Sequence, residues 1–139
     1  VIVADTGGVI ALLDRNDRHH AAVRTLFERD GGRWILPWAI LPEVDYLAST
    51  KLSVEVARAF AADVRDGQFR MDANAARDLP RAVALLDRYA DLRLGLVDAV
   101  VMAQAERHKA EAIVTLDVRH FRAVRLSLAK PPRLLPLDR

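Results

Sequence analysis

Short runs of strand type alternate along this chain with longer segments of helical periodicity, and no other property of the sequence restricts its fold as much. "VIVAD" at the start is a continuous apolar run ending in a carboxylate. "GGVIALLDR" and "DRHHAAVRTLFERD" follow it, the second repeating Ala21, Ala22, Leu26 and Phe27 at roughly helical spacing. "RWILPWAI" predicts a second strand around Leu36, and Pro37 and Pro42 punctuate the entry to a helix whose first turn holds Glu43. In "SVEVARAFAADVRDG", Ser53 is a natural N-cap with Glu55 behind it, and Gly67 is a stop. "QFRMD" predicts a short strand. "AARDLPRAVALLDRYADL" reads as broken at Pro80 and helical from Arg81 to about Tyr89, offering Val83, Leu86 and Tyr89 to a core. "GLVDAVVMAQAERHKA" is the most apolar helix, and "AIVTLD" is another strand that ends in an acid. The order βαα, βαα, βα, α, β predicts an α/β sandwich with a mainly parallel central sheet. "PPRLLPL" closes the chain as a strand or extended segment, because Pro131 and Pro132 forbid a helix there.

Sheets of this kind carry their functional groups at the carboxyl ends of the strands. Asp5 and Asp117 each end a strand, Glu43 lies in a helix entry after another, and Asp98 stands near the start of the most apolar helix. Each acid has an ordinary explanation, since a carboxylate near a helix N-terminus gains roughly 0.3–1 kcal/mol from the helix dipole. Asp98 is the hardest to explain that way. Its neighbours Leu96, Val97, Val100, Val101 and Met102 bury the helix nearly all round, and a buried carboxylate needs compensation that a cation supplies directly.

Composition narrows the chemistry. The 139 residues suit one domain, 52% of them hydrophobic. No stretch is long and apolar enough to span a bilayer and nothing resembles a signal peptide, so a cytoplasmic protein without membrane association is expected. With no cysteine there is no disulfide, thiolate metal site or cysteine nucleophile, and any metal must be held by oxygen or imidazole. Net charge is only +2, yet the pI near 9.4 and the excess of arginine over lysine suit a polyanionic partner, although genome composition explains them equally well. His19 and His20 point about 100° apart on a helix, and His108 and His120 lack partners at useful spacing, so all four histidines are expected at the surface. Asp45 falls on the far side of its helix from Glu43, Asp91 reads as a loop acid, and Trp34 and Trp38 as core or interface. "DTGG" lacks the second aspartate of a haloacid-dehalogenase phosphatase, and no glycine-rich phosphate loop occurs.

"VADTGGVIAL", "LPEVDYL", "GLVDAVVMAQAE" and "IVTLDVRHF" together resemble the four acidic motifs of the PIN-domain family, in order over nearly the whole chain, and the length resembles its VapC-type toxins. The resemblance implies a Rossmann-like α/β/α fold over residues 1–139 and a Mg²⁺-dependent endoribonuclease, with Mn²⁺ as a substitute, paired with a cognate antitoxin. It makes Asp5, Glu43, Asp98 and Asp117 the acidic cluster, with Thr6 and Thr115 as supporting hydroxyls. Within that cluster Asp5 and Asp98 are assigned as metal ligands, Glu43 as a ligand or water orienter, and Asp117 as more peripheral. Two positions depart from the pattern: Gly7 replaces a small polar residue, and Gly95 stands where some members carry a further acid. A catalytically silent module that binds RNA or protein is the alternative. Mg²⁺ is hard, prefers oxygen and keeps several waters, and in phosphodiester hydrolysis a metal polarises a phosphoryl oxygen and activates water without a side-chain nucleophile. The tail carries Arg119, Arg122 and Arg125 as candidate phosphate contacts, against the plainer reading of a solvated edge. The family also implies a homodimer, for which Val54, Val56, Phe60, Val64, Leu85 and Leu86 are surplus apolar residues.

Overall fold

Burial on both faces separates the central strands from the outer ones. In the computed structural model, which describes residues 1–138, β1 (Ile2–Ala4), β2 (Trp34–Pro37) and β4 (Ala112–Val114) are buried throughout, while β3 (Arg70–Asp72) and β5 (Arg133–Leu135) carry exposed arginines. Continuous apolar strands flanked by polar ones are what a helix-covered parallel sheet requires. All four pairings are parallel, in the order β3-β2-β1-β4-β5, with Val3 opposite Ile35 on one side and Ile113 on the other. The order therefore reverses beside β1, and the crevice beyond the carboxyl ends of β1 and β4 lies at that reversal.

Among the described residues seven α-helices connect the strands: α1 (Thr6–Leu13), α2 (His20–Asp30), α3 (Ile40–Lys51), α4 (Val54–Arg65), α5 (Ala75–Arg88), α6 (Leu96–Arg107) and α7 (Val118–Ala123). None is long and apolar enough to cross a membrane. Ser53 Oγ accepts the Val56 N–H at 3.1 Å to cap α4, and Gly67 follows that helix with φ near +80°, which a side chain would disfavour. In α1, Gly8 is fixed by space. A Cβ there would lie 2.6 Å from both the Val114 carbonyl oxygen and its Cγ1, so the helix rests directly on the end of β4.

Helix α5 begins earlier than proline suggests. Pro80 lies inside it and does not break it. The proline removes a single hydrogen bond, while the first turn is held by Asn74 Oδ1, which accepts the Arg77 N–H, and by the buried Asp78. The inward face also differs from the one expected: Asp78, Ala82 and Leu85 are buried, Leu86 and Tyr89 partly so, and Val83 is exposed.

Asp78 is the hub of a polar network between α5, α6 and the start of α3. Its carboxylate accepts from Trp38 Nε1 at 3.0 Å, Gln104 Nε2 at 2.9 Å and Arg107 Nη2 at 2.9 Å. Arg107 Nη1 also reaches Asp72 Oδ2 at 2.8 Å, and Gln104 donates to the Asp72 carbonyl. Burial alone raises the Asp72 pKa, but hydrogen bonds from Arg107 and His108 bring it down to about 2.

The histidines are not the surface residues expected. All four are half-buried: His20 Nδ1 lies 2.8 Å from the Ala11 carbonyl, His108 meets Asp72, and His120 meets Asp117. His20, His108 and His120 each set a ring nitrogen beside a backbone or carboxylate oxygen, and His19 Nε2 accepts from Arg18 Nε at 3.2 Å; the partners of His20 and His108 lie on other elements, which spacing along one helix does not reveal. The surplus apolar residues are fewer than expected too, since Phe60 and Leu85 belong to the core, Val56, Val64 and Leu86 are half-buried, and only Val54 is exposed. Trp34 is buried, and Asp45 and Asp91 are exposed. "PPRLLPL" forms the edge strand β5.

Candidate active site

Four chain segments meet at the carboxyl edge of the sheet. Asp5 continues β1 by donating its N–H to the Val114 carbonyl at 2.9 Å, then turns the chain into α1 as its N-cap. Thr115 follows β4, and its Oγ1 donates to Asp5 Oδ2 at 2.8 Å while accepting the Asp117 N–H at 3.0 Å. One buried hydroxyl thus fixes both acids. Asp98 lies in the first turn of α6, where the Gly95 N–H donates to its Oδ2 at 3.1 Å. Glu43 stands in the first turn of α3. All four carboxylates line one cleft of about 580 Å³, together with Thr6, Gly7, Leu116, Asp17 and the Glu43–Leu47–Lys51 stripe of α3.

The electrostatics of the cleft are unfavourable without a cation. Asp5 is only 5% exposed, and its pKa is pushed up to about 6, chiefly by burial and further by Asp98 and Glu43, against the hydrogen bonds from Thr115 and the Thr6 backbone. Asp98 is also raised, first by burial and then by Asp117 and Glu43, with the Gly95 N–H and His120 opposing. Thr6 Oγ1 is buried without a hydrogen-bond partner. Crowded carboxylates and an unpaired hydroxyl are the oxygen donors that a hard divalent cation takes up, so the residues present fit one.

The spacing within the cluster differs from the ranking the sequence suggests. One donor atom each from Asp98, Asp117 and His120 lie within 4.8 Å of one another, which brings Asp117 to the side of Asp98. His120 stands one turn beyond Asp117 on α7, with Nδ1 2.7 Å from Asp117 Oδ2, and that carboxylate raises its pKa. Sequence reasoning passed over His120, Asp17 and Lys51. The i, i+3 step from Asp117 to His120 and the i, i+4, i+8 step from Glu43 to Lys51 were the available signals. Gly7 leaves room for a larger residue, since a Cβ there would come only to 3.7 Å from Leu116. Arg119 and Arg125 are exposed beyond the cleft, and Arg122 pairs with Asp138.

Known proteins share this arrangement of elements. The chain is 28% identical over 124 residues to Ribonuclease VapC26 of Mycobacterium tuberculosis, an alignment covering 89% of this chain and 92% of that protein. It superposes on the crystal structure of VapC20 from the same organism, a toxin that cleaves the sarcin-ricin loop, with a TM-score of 0.79 at 21% identity, covering 92% of this chain and 98% of the other. DNA-bound VapBC from Salmonella typhimurium gives 0.67 at 21% identity, covering 96% and 95%. The PIN domain family profile matches residues 2–126, a span that runs from β1 through all four acids and past α7. The fold, with its sheet reversal over an acidic crevice, and that match agree: the chain belongs to the PIN domain family.

Proposed function

We propose that residues 1–139 form a single PIN domain acting as a divalent-cation-dependent endoribonuclease toxin, which hydrolyses RNA phosphodiester bonds and is neutralised by a cognate antitoxin. The observation that carries this reading is the cleft itself: four carboxylates from four separate segments, the most buried of them pushed up to about 6. The ribonuclease relative and the toxin–antitoxin neighbour support the same reading.

Asp5, Asp98 and Asp117 are the groups that hold the ion, with Glu43 at the mouth of the cleft. Mg²⁺ is the expected occupant because oxygen donors dominate, and Mn²⁺ substitutes for it. The bound cation supplies positive charge that polarises a phosphoryl oxygen and acidifies water. This chain's own residues do the positioning. Thr115 fixes the orientation of Asp5, the Gly95 N–H fixes that of Asp98, and the Thr6 hydroxyl is free to hydrogen-bond in the same cleft. Glu43 is exposed and suited to orienting water. Lys51 supplies a positive charge at the end of the α3 stripe, where an RNA phosphate meets the acids, and Arg119, Arg122 and Arg125 extend that contact along the backbone.

Exposed Leu79, Val83 and Leu96 beside the Trp38 and Leu86 cluster support a homodimer, which light scattering at micromolar concentration reads directly. The deciding experiment for activity is cleavage of total RNA by purified protein with Mg²⁺ or Mn²⁺, its arrest by EDTA, and its loss in Asp98→Asn. RNA binding with no cleavage under any of these cations makes the domain a silent module.

A further inference from the structure

We propose that His120 joins Asp98 and Asp117 as a nitrogen ligand of the cleft's divalent cation, so that the site binds Mn²⁺ more tightly than Mg²⁺. This rests on the cation-dependent reading above and extends it to a residue outside the four acids. The geometry that carries it is the mutual approach of the three donor atoms to within 4.8 Å. Ligands about 2.1–2.2 Å from one ion lie no more than about 4.4 Å apart, so a side-chain adjustment of a few tenths of an ångström brings all three onto a single cation. Each donor is placed by backbone. Asp117 caps α7 by accepting the His120 N–H, His120 sits one turn along the same helix, and Asp98 is anchored to the Gly95 N–H across the cleft. The unpartnered, buried Thr6 hydroxyl in the same cleft is a second sign of a missing ligand.

The chemical consequence is selectivity. Mg²⁺ holds its waters and oxygen ligands and gains little from imidazole, whereas transition metals accept imidazole nitrogen, so one histidine in an oxygen site moves its preference toward Mn²⁺. The competing role is orientation only, in which His120 hydrogen-bonds Asp117 and never meets the ion. That role predicts equal effects on both cations. The other histidines do not confuse the assignment: His20 is engaged with Ala11, His108 with Asp72, and His19 Nε2 accepts from Arg18 Nε.

The experiment is calorimetric titration of the full chain with Mn²⁺ and with Mg²⁺, paired with pulsed EPR of the Mn²⁺ complex. His120→Asn keeps a hydrogen-bond donor for Asp117 while removing the imidazole, and circular dichroism checks its fold. Native protein shows ¹⁴N coupling to Mn²⁺ that becomes ¹⁵N coupling when histidine is ¹⁵N-labelled, which needs no substitution. His120→Asn loses the coupling and about tenfold in Mn²⁺ affinity, with Mg²⁺ affinity changed less than about threefold. Mn²⁺ binding without nitrogen coupling, or an equal loss for both cations, overturns the role of His120 and leaves the acid site standing. Native protein that binds neither cation overturns the cation-dependent reading as well.

Discussion

Two buried carboxylates in this protein live under opposite conditions. Asp78 is 1% exposed and is met by an indole N–H, an amide and a guanidinium, so its charge is matched within the fold. Asp5 is 5% exposed and is met by one hydroxyl and one backbone N–H, with Asp98 and Glu43 as its charged neighbours. A fold that needed only a stable carboxylate would treat both as it treats Asp78. The difference marks the cleft as a place where compensation comes from outside the chain.

Breaking each cluster should give opposite results. The largest effect expected is on catalysis: Asp5→Asn or Asp98→Asn should lower RNA cleavage by about a thousandfold or more, measured by initial rates under saturating Mg²⁺. Neither should lower the melting temperature of the metal-free protein, because each removes a charge that its neighbours repel. Full activity in both would separate the cleft from the chemistry.

Asp78→Ala should do the reverse. Stripping the hub leaves Trp38 and Gln104 donors unmet and one side of Arg107 bare, at a cost of about 3 kcal/mol or more in urea denaturation. A loss below about 1 kcal/mol would mean that the network is not what anchors α6.

Acidity distinguishes the clusters by sign. Asp5 moves from 3.8 to about 6 on folding, so the native state binds its proton more tightly, and stability falls as pH rises between those values. The ionised native protein therefore carries a penalty on the order of 3 kcal/mol from this group, absent below pH 3.8. Asp72 moves from 3.8 to about 2, so its contribution is present above 3.8 and is lost as pH falls toward 2. Urea titrations should show Asp5→Asn flattening the slope between pH 4 and 6, and Asp72→Asn flattening only the more acidic limb. Saturating Mn²⁺ should add about 2.7 kcal/mol at a hundred times its dissociation constant in the native protein and much less in Asp98→Asn.

The smallest effect expected is on salt dependence. For a non-cleaved RNA bound to Asp98→Asn, neutralising Lys51, Arg119 or Arg125 should lower the slope of log K against log salt by roughly 0.7 each, without changing sequence preference. An unchanged slope for the two arginines with a reduced one for Lys51 would confine the phosphate contact to α3.

Much of this was readable from local signals. Continuous apolar runs gave β1, β2 and β4, a serine cap and a glycine stop gave α4, and acids at two strand ends and in two helix first turns gave the four carboxylates of the cleft. What was not readable depended on partners distant in the chain. Pro80 is tolerated because Asp78 is tied to Trp38, 40 residues away, and to Gln104, 26 away. His120 had its partner three residues back, a step that local reading could have noticed. Its meaning came only when α6 brought Asp98 alongside.

The seat of Gly8 on Val114 has a consequence for how the cleft meets its ion. That contact sets the Gly8 backbone against the Val114 carbonyl oxygen and Cγ1 with no room for a methyl group between them, so the start of α1 cannot settle closer to β4 without displacing the strand end beneath it. Asp5 and Asp117, which flank the contact in sequence, are therefore held at their spacing before any ion arrives. Ion capture then requires no closing motion, and its rate should follow the shedding of water from the cation, not the relaxation of the protein.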